Sequence, residues 1–431
     1  MRRTLRVESL NVGQGQLAGK IVVADWVEHP ERGRVRCPAA ALLAGSLRRA
    51  GLEPVRVEHL RAEDLSSRDI TCSADVAAVA SYVDRDGSAL GMAAAVPGGD
   101  RRAAALVLGA VRQWAQVLRT RRIALAAVKP WCTGLEASFR ALDQLLSTVA
   151  GPVHVLGTPP PCRVTTEEFI RRGTVFVESL DQVPDGALLH FGPAGASPLV
   201  RAKAATRDLV LSDGTCPLVA AAAGEVRRLA EEGATVVVVA DPAHAAVPTL
   251  TGQAPEQVVL VNEMAQADAV RVGDPGPIGV VVEPGADVAR LMRVAERVRA
   301  RFDHVRPQHP ATLCHEPSDR HNALRLLAEA DVVLVVGKAA ADDSEEVVAR
   351  FAALGVPAFV VASAGEVEPD WLRTAGCVGV TASLTADPGA VDGVVDALRG
   401  LGPSAVVEVA VRTSPVVPRV VVPPVIRPTP V

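Results

Sequence analysis

The residues with the clearest capacity for chemistry in this chain are three cysteines, Cys132, Cys216 and Cys314. The stretch Asp213-Gly-Thr-Cys-Pro-Leu-Val219 shows their setting best. The run Asp208-Leu-Val-Leu-Ser212 before it reads as a strand, and Ala220 to Glu232 after it carries helical spacing of apolar residues. Cys216 thus stands where a strand ends and a helix begins. Backbone N–H groups are unpaired there and the helix dipole is positive, so a thiolate is favoured. Met alone, such a cysteine also reads as a small buried side chain packed beside a proline. Cys132 and Cys314 share the setting, each after an extended segment and before a helix, at separations of roughly 85 and 100 residues, about one small α/β unit each. Three thiolates do not complete a structural zinc site, which takes four protein ligands. They suit an iron–sulfur cluster, and on a four-iron cluster they leave one iron open. Three unrelated buried cysteines are the alternative on spacing alone.

The elements that would position these residues follow from composition and periodicity. A chain of 431 residues has room for two to four domains. Residues 1–120 read as an N-terminal α/β region, with strands at Ile21–Ala24 and Val55–Val57 and helices at Ala39–Ala50 and Arg101–Arg119, the last with Asp100 as N-cap. Cys37, before Pro38 and a helix, is a weaker ligand candidate, and Cys72 has no informative context. From Arg122 onward, Val/Leu/Ile strands alternate with amphipathic helices, the pattern of parallel sheets covered on both faces. Lobes are expected at 121–221, 222–315 and 316–402, followed by an extended Pro/Val-rich tail at 403–431. Active residues in such folds collect at the carboxyl ends of strands.

Other classes are disfavoured. The net charge is −4 with no Lys/Arg block, which argues against nucleic acid and anionic membrane. No run of about 18 apolar residues suggests a membrane span, and the first residues lack a signal-peptide core. A soluble cytoplasmic monomer or homodimer is expected. The seven cysteines, an odd and scattered set, do not form a disulfide framework or a CxxC site.

From Arg122 to about Gly402 the chain resembles the 4-hydroxy-3-methylbut-2-enyl diphosphate reductase (LytB-type) family of the non-mevalonate isoprenoid pathway. The resemblance rests on Arg172-Gly-Thr-Val-Phe-Val-Glu178, Val183-Pro-Asp-Gly-Ala187, Ala196-Ser-Pro-Leu-Val-Arg201, Thr215-Cys-Pro-Leu-Val219, Gly252-Gln253, Val333-Leu-Val-Val-Gly337 and Val378-Gly-Val-Thr-Ala382. It implies three α/β lobes in pseudo-threefold array around a [4Fe–4S] cluster with one iron not ligated by cysteine. The ligands would be Cys132, Cys216 and Cys314. It also implies reductive dehydroxylation of an allylic alcohol, with electrons from a ferredoxin or flavodoxin.

The substrate-binding positions depart from the family pattern. Two family histidines fall on Pro161 and Ala194, and His244 is retained. The family's proton-relaying glutamate falls on Ala246, its paired threonines on Pro284 and Gly285, its Ser-Ser-Asn on Ala341-Asp342-Asp343, and a further serine on Thr385. A diphosphate needs donors and positive charge. Asp342 and Asp343 supply the opposite, a like-charge pair costing about 4 kcal/mol at about 4 Å in a moderately polar site, with Lys338 able to offset one charge. The expectation is therefore a cluster-dependent reductase acting on a small non-diphosphate molecule in specialised metabolism. His244 and Glu283 are its candidate catalytic groups; a strand-end histidine and a solvated loop carboxylate are their plainer readings. Cys162 as a fourth ligand or proton donor, and His315 as a ligand, are further possibilities. The competing functions are a non-catalytic electron-transfer or redox-sensing cluster protein, and a genuine isoprenoid-pathway reductase with a rearranged pocket.

Overall fold

The computed structural model describes residues 5–13, 15–63, 74–84, 86–271, 276–286 and 288–413; Cys72 and the Pro/Val-rich segment from 414 onward lie outside them. The chain divides into two compact units. One comprises residues 1–130 and 323–409, the other residues 131–322 and 410–431.

The first unit opens with a closed barrel. Its strands are β1 (Arg6–Val12), β2 (Val22–His29), β3 (Gly33–Arg36), β4 (Val55–Glu63), β5 (Val76–Val83) and β6 (Ala89–Val96), in the order β1-β4-β2-β3-β6-β5. The N-terminal α/β region expected from the sequence is thus a barrel with two helices, α1 (Ala40–Arg49) and α2 (Arg101–Val117). Most pairings are antiparallel, while β2–β4 and β3–β6 are parallel. Two inner strands escape sequence reading because they are built from alanine: Ala77, Ala78, Ala80, Ala93, Ala94 and Ala95 are all buried. Alanine has low strand propensity, and here the close-packed small barrel overrides it. The expected helices are present, and Asp100 accepts from Ala103 N–H at 2.9 Å as the cap of α2.

The strand β7 (Arg121–Ala126) was expected to open the first lobe. It instead lies within a five-stranded parallel sheet of the first unit, between β18 and β19. Its apolar run is equally suited to any parallel sheet, and only tertiary packing chooses one. The other members are β16 (Val332–Val336), β17 (Ala358–Val361), β18 (Cys377–Ala382) and β19 (Ser404–Val409), in the order β17-β16-β18-β7-β19. The expectation of a wholly extended tail from 403 therefore fails at its start. Ser404–Val409 contains no proline and is free to pair as an edge strand. Barrel and sheet share one hydrophobic core, running from Leu10 through Trp114 and Ile123 to Leu401. Polar contacts fasten the joint. Arg49 donates to the Gly365 and Val367 carbonyls at 2.7 and 3.0 Å. Tyr82 Oη donates to the Gly400 carbonyl at 3.3 Å, and the buried Arg121 reaches the Val117 and Leu372 carbonyls. At Gly45, on α1, a side chain is impossible: a Cβ would lie 1.7 Å from the Gly365 oxygen.

The second unit holds two four-stranded parallel sheets. Strands β8 (Val153–Leu156), β9 (Thr174–Val177), β10 (Leu188–Phe191) and β11 (Val210–Asp213) run in the order β11-β10-β8-β9. Strands β12 (Thr235–Val239), β13 (Val258–Val261), β14 (Ile278–Val282) and β15 (Val305–Pro307) run in the order β13-β12-β14-β15. The central strand TVVVV of β12 and IGVVV of β14 are buried almost throughout, as helices on both faces require. Helix α3 (Thr133–Thr148) packs Phe139, Leu142 and Leu145 on the first sheet with Phe169 of α4 (Arg163–Arg171). Helix α5 (Pro198–Ala205) follows β10, and α6 (Pro217–Glu231) packs Val226, Leu229 and Ala230 on the second sheet. The remaining short helices α7 (Val247–Thr251) and α8 (Met264–Ala269), with α9 (Val288–Arg299) and α10 (Glu316–Leu326), connect the strands that follow. In the first unit α11 (Asp342–Ala353), α12 (Pro369–Leu372) and α13 (Ala390–Arg399) do the same for the five-stranded sheet. Because α6 packs on the second sheet, the first lobe's elements end before Cys216 rather than at 221.

Candidate cluster and active site

Cys132 is the N-cap of α3, and Cys216 is the N-cap of α6, with Pro217 in the first helical turn. Cys314 stands two residues before α10. Each is therefore held at a helix start, where peptide N–H groups point outward for lack of an intrahelical partner. The Cys132 sulfur accepts from Leu135 N–H at 3.4 Å. The amides of Leu218 and Val219 bear on Cys216, and those of Gly285 and Glu316 on Cys314. The structure brings all three thiols into one neighbourhood. A methyl built on Gly134 would lie 2.4 Å from the Cys216 sulfur and 3.9 Å from that of Cys132, and the Cys314 thiol feels the charges of both others.

The expectation that the helix end makes Cys216 a thiolate is corrected by burial. Desolvation raises the pKa of Cys132 and Cys216, and it pushes Cys314 up to about 12, outweighing the opposing N–H groups. Protein groups alone thus leave three neutral thiols facing one another. Positive charge from metal is what would make thiolates of them. Among the described residues no three His, Cys, Asp or Glu side chains gather about a point suited to one ion. Thiolates are the donors that iron–sulfur clusters take, and Cys132, Cys216 and Cys314 would hold one here.

Beside Cys314 lies a second group of residues, at the point where the second sheet reverses its strand order between β12 and β14. Ligands collect at such switch points. His244 is in the turn after β12, and Glu283 directly follows β14. Glu283 is buried, with 1 % of its surface exposed, so the solvated-loop reading fails. One carboxylate oxygen accepts from Asp241 N–H at 2.9 Å; the other has no hydrogen-bond partner and lies 3.5 Å from His244 Nδ1. Burial moves the Glu283 pKa up to about 7 and the His244 pKa down. Ala246 N–H donates to His244 Nδ1 at 3.4 Å, which favours the tautomer with its proton on Nε2. Nε2 is 3.5 Å from where a side chain on Gly285 would begin, and Gly285 N–H bears on Cys314. The histidine, the carboxyl and a cysteine are thus linked through one glycine.

The other expected pocket residues fall into place by unit. Ala194 lies after β10 at the first sheet's switch point, and its carbonyl accepts from the Thr249 hydroxyl at 2.8 Å. Ala246 and Pro284 are buried and Gly285 is exposed. In the first unit, Asp342 and Asp343 open α11, and Thr385 follows β18. The Asp343 carboxylate accepts from Leu384 N–H; Thr385 Oγ1 accepts from Lys338 N–H at 3.1 Å and lies 2.8 Å from Ser383 Oγ. The Lys338 side chain is exposed. The Ser344 hydroxyl, one residue on, is buried without a partner. Cys162 is fully buried as the N-cap residue of α4, and His315 is half-buried with its carbonyl accepting from Asp319 N–H at 2.8 Å. Cys37 is a core thiol of the first unit, its pKa raised by burial.

Sequence reading missed a polar lock behind Cys216. Arg201 donates to Asp213 at 2.7 Å and to the Thr215 hydroxyl at 3.0 Å, and Asp213 accepts from Thr215 N–H at 2.9 Å. The Asp-x-Thr spacing is an Asx-turn signal readable in the sequence; its arginine, on a separate helix, is not.

The LytB protein family model matches residues 123–399 of the chain. The chain belongs to the LytB family. A relative from Mycobacterium bovis named 4-hydroxy-3-methylbut-2-enyl diphosphate reductase 2 is 33% identical over 299 residues, 68% of this chain and 91% of the relative. The reductase of the same enzyme name from Hahella chejuensis is 32% identical over 301 residues, covering 69% and 95%. Among solved structures, the E-1-hydroxy-2-methyl-but-2-enyl-4-diphosphate reductase of Plasmodium falciparum has a TM-score of 0.59 at 19% identity, covering 71% of this chain and 96% of that one. A structure of (E)-4-hydroxy-3-methyl-but-2-enyl diphosphate reductase has a TM-score of 0.53 at 20% identity, covering 65% and 99%. These likenesses show a shared α/β fold. LytB proteins are [4Fe–4S] enzymes, and this LytB protein is an iron–sulfur oxidoreductase. Among the described residues no helix is long and apolar enough to cross a membrane.

Proposed function

We propose that this chain reductively removes a hydroxyl group from a small molecule, with Cys132, Cys216 and Cys314 holding a [4Fe–4S] cluster that keeps one iron free of cysteine. In the overall change R–OH takes two electrons and two protons; the C–O bond breaks, a C–H bond forms, and the oxygen leaves as water. The bound cluster would supply electrons and Lewis acidity, and a ferredoxin or flavodoxin is the proposed donor.

The observation that carries the reading is the Glu283–His244 pair. A carboxyl with a pKa of about 7 still holds its proton in a substantial fraction of molecules near neutrality, and its unpartnered oxygen faces the acceptor nitrogen of the histidine. His244 can give the proton on Nε2 while Nδ1 takes one from Glu283, so the pair delivers one proton and leaves Glu283 as the carboxylate, which must take up a proton before it can donate again. Gly285, lacking a side chain, leaves the Nε2 face open.

The substrate proposed is not a diphosphate. Ala194, Ala246, Pro284 and Gly285 offer no side-chain donors. At the start of α11, where a helix end would otherwise receive an anion, the chain's own Asp342 and Asp343 stand, and Asp343 already takes the Leu384 N–H. The second reading, a genuine isoprenoid-pathway reductase, is favoured by the names of relatives matched over nine-tenths of their length. Anaerobically reconstituted protein assayed with 4-hydroxy-3-methylbut-2-enyl diphosphate decides between them. The expected kcat/KM is at least roughly a hundredfold below that of a relative assayed alongside, a loss of about 3 kcal/mol of transition-state stabilisation. Comparable turnover would establish the second reading.

A further inference from the structure

One carboxylate ties together the chain segments that carry two of the three cysteines. Glu316, two residues beyond Cys314, accepts from Thr133 N–H at 3.2 Å and from the Thr133 hydroxyl; Thr133 immediately follows Cys132. The first turn of α3 is thereby fastened to the first turn of α10 by two donors converging on a single acceptor oxygen. Glu316 is itself at the start of a helix, where a negative side chain is tolerated by the dipole. Its backbone N–H bears on Cys314, while its charge disfavours ionisation of both Cys132 and Cys216. Through Thr133 the carboxylate is held beside Cys132, it bears on Cys216 as well, and two hydrogen bonds do not cancel its charge.

We propose that Glu316 is a positioning residue that clamps the Cys132 helix to the Cys314 segment and whose negative charge lowers the reduction potential of the cluster held there. This rests on the cluster-binding reading above. Reduction adds an electron, and a fixed negative charge nearby opposes it; cluster potential follows local charge, hydrogen bonding and solvent exposure. A lowered potential makes the reduced centre a stronger donor, which suits reductive cleavage of a C–O bond. The same charge sets an electrostatic preference at the site for neutral or cationic molecules over anions.

The test compares wild type, E316Q and E316D after anaerobic reconstitution. Iron and sulfide content and the visible spectrum report loading, and an EPR-monitored redox titration gives the midpoint. The rate of cluster loss to a chelator reports the clamp. E316Q keeps an oxygen for Thr133 and removes the charge, so its midpoint should rise and its cluster should be lost several-fold faster. E316D, which keeps the charge, should stay near the wild-type midpoint. A fully loaded E316Q with unchanged midpoint and unchanged chelation rate overturns the inference alone. If E316Q does not load, a loaded E316D at the wild-type midpoint supports the charge assignment, and an E316D that also fails to load overturns it. Wild-type protein that takes up no cluster overturns the cluster-binding reading and this inference together.

Discussion

Glu283 is the residue on which the proposed chemistry turns. Its carboxyl titrates near 4.5 when unfolded and near 7 in place, because burial penalises the anion. Between these values the folded chain keeps a proton that the unfolded chain has released. This group's contribution to stability is therefore full below pH 4.5 and is lost as pH rises through 7. E283Q removes that slope. Relative to wild type it should gain up to a few kcal/mol in denaturant stability between pH 5 and pH 8. Catalytically the same variant should lower kcat and abolish the decline in rate as pH rises through 7, as a pH–rate profile would show. Wild-type rates indifferent to pH across this range would exclude the carboxyl as proton donor. Gly134 supports a second prediction at this scale. Its missing side chain leaves room that the Cys216 sulfur occupies, so G134A should lose most of its bound iron while the apoprotein melts within a few degrees of wild type. Iron content read against a thermal melt separates the two effects.

At the scale of elements, each group of interest lies at a strand end or a helix start. The switch point between β12 and β14 carries His244 and Glu283, and that between β16 and β18 carries Lys338, Asp343 and Thr385. Helix α11, which opens with Asp342 and Asp343, offers a test of the proposed discrimination against anions. Replacing both acids at its start, D342S with D343N, removes two negative charges from a helix N-terminus, while the amide introduced at the second position keeps an oxygen for Leu384 N–H. Inorganic pyrophosphate should then bind at least roughly tenfold more tightly by calorimetry, a change of about 1.4 kcal/mol. Unchanged binding would remove these acids from the account of substrate choice. The strands behind these sites were readable because unbroken Val/Leu/Ile runs bounded by loops have few other uses. In the barrel, β2 and β4 were readable in part, from Ile21–Ala24 and Val55–Val57, whereas β5 and β6 were not, since their alanine-rich segments satisfy helix and strand alike until neighbours close on them.

At the scale of the molecule, the barrel is no detachable appendage of its unit. Residues of β1–β6, α1 and α2 share a core with β7, β16 and β18, and Trp114, Tyr82 and Ile123 are wholly buried within it. Removing residues 1–120 would expose that apolar face to water at about 25 cal/mol per Å². A chain beginning at Arg121 should be insoluble, or should show early amide exchange in β16–β18; a soluble truncation with full protection of those strands would refute the shared core.

The sequence by itself determined most of the parallel strands, β15 and β19 excepted, and that Cys132, Cys216 and Cys314 stand at helix starts, because apolar periodicity and strand–loop–helix spacing are local properties. The family motifs then pointed to a cluster. Tertiary structure alone decided that β7 joins the five-stranded sheet, that burial overrides the helix dipole at Cys216, and that Glu283 is desolvated against His244. It also decided that Glu316 reaches Thr133 across 183 residues of chain. Ionisation and pairing depend on which groups share a dry space, and no window of sequence records that.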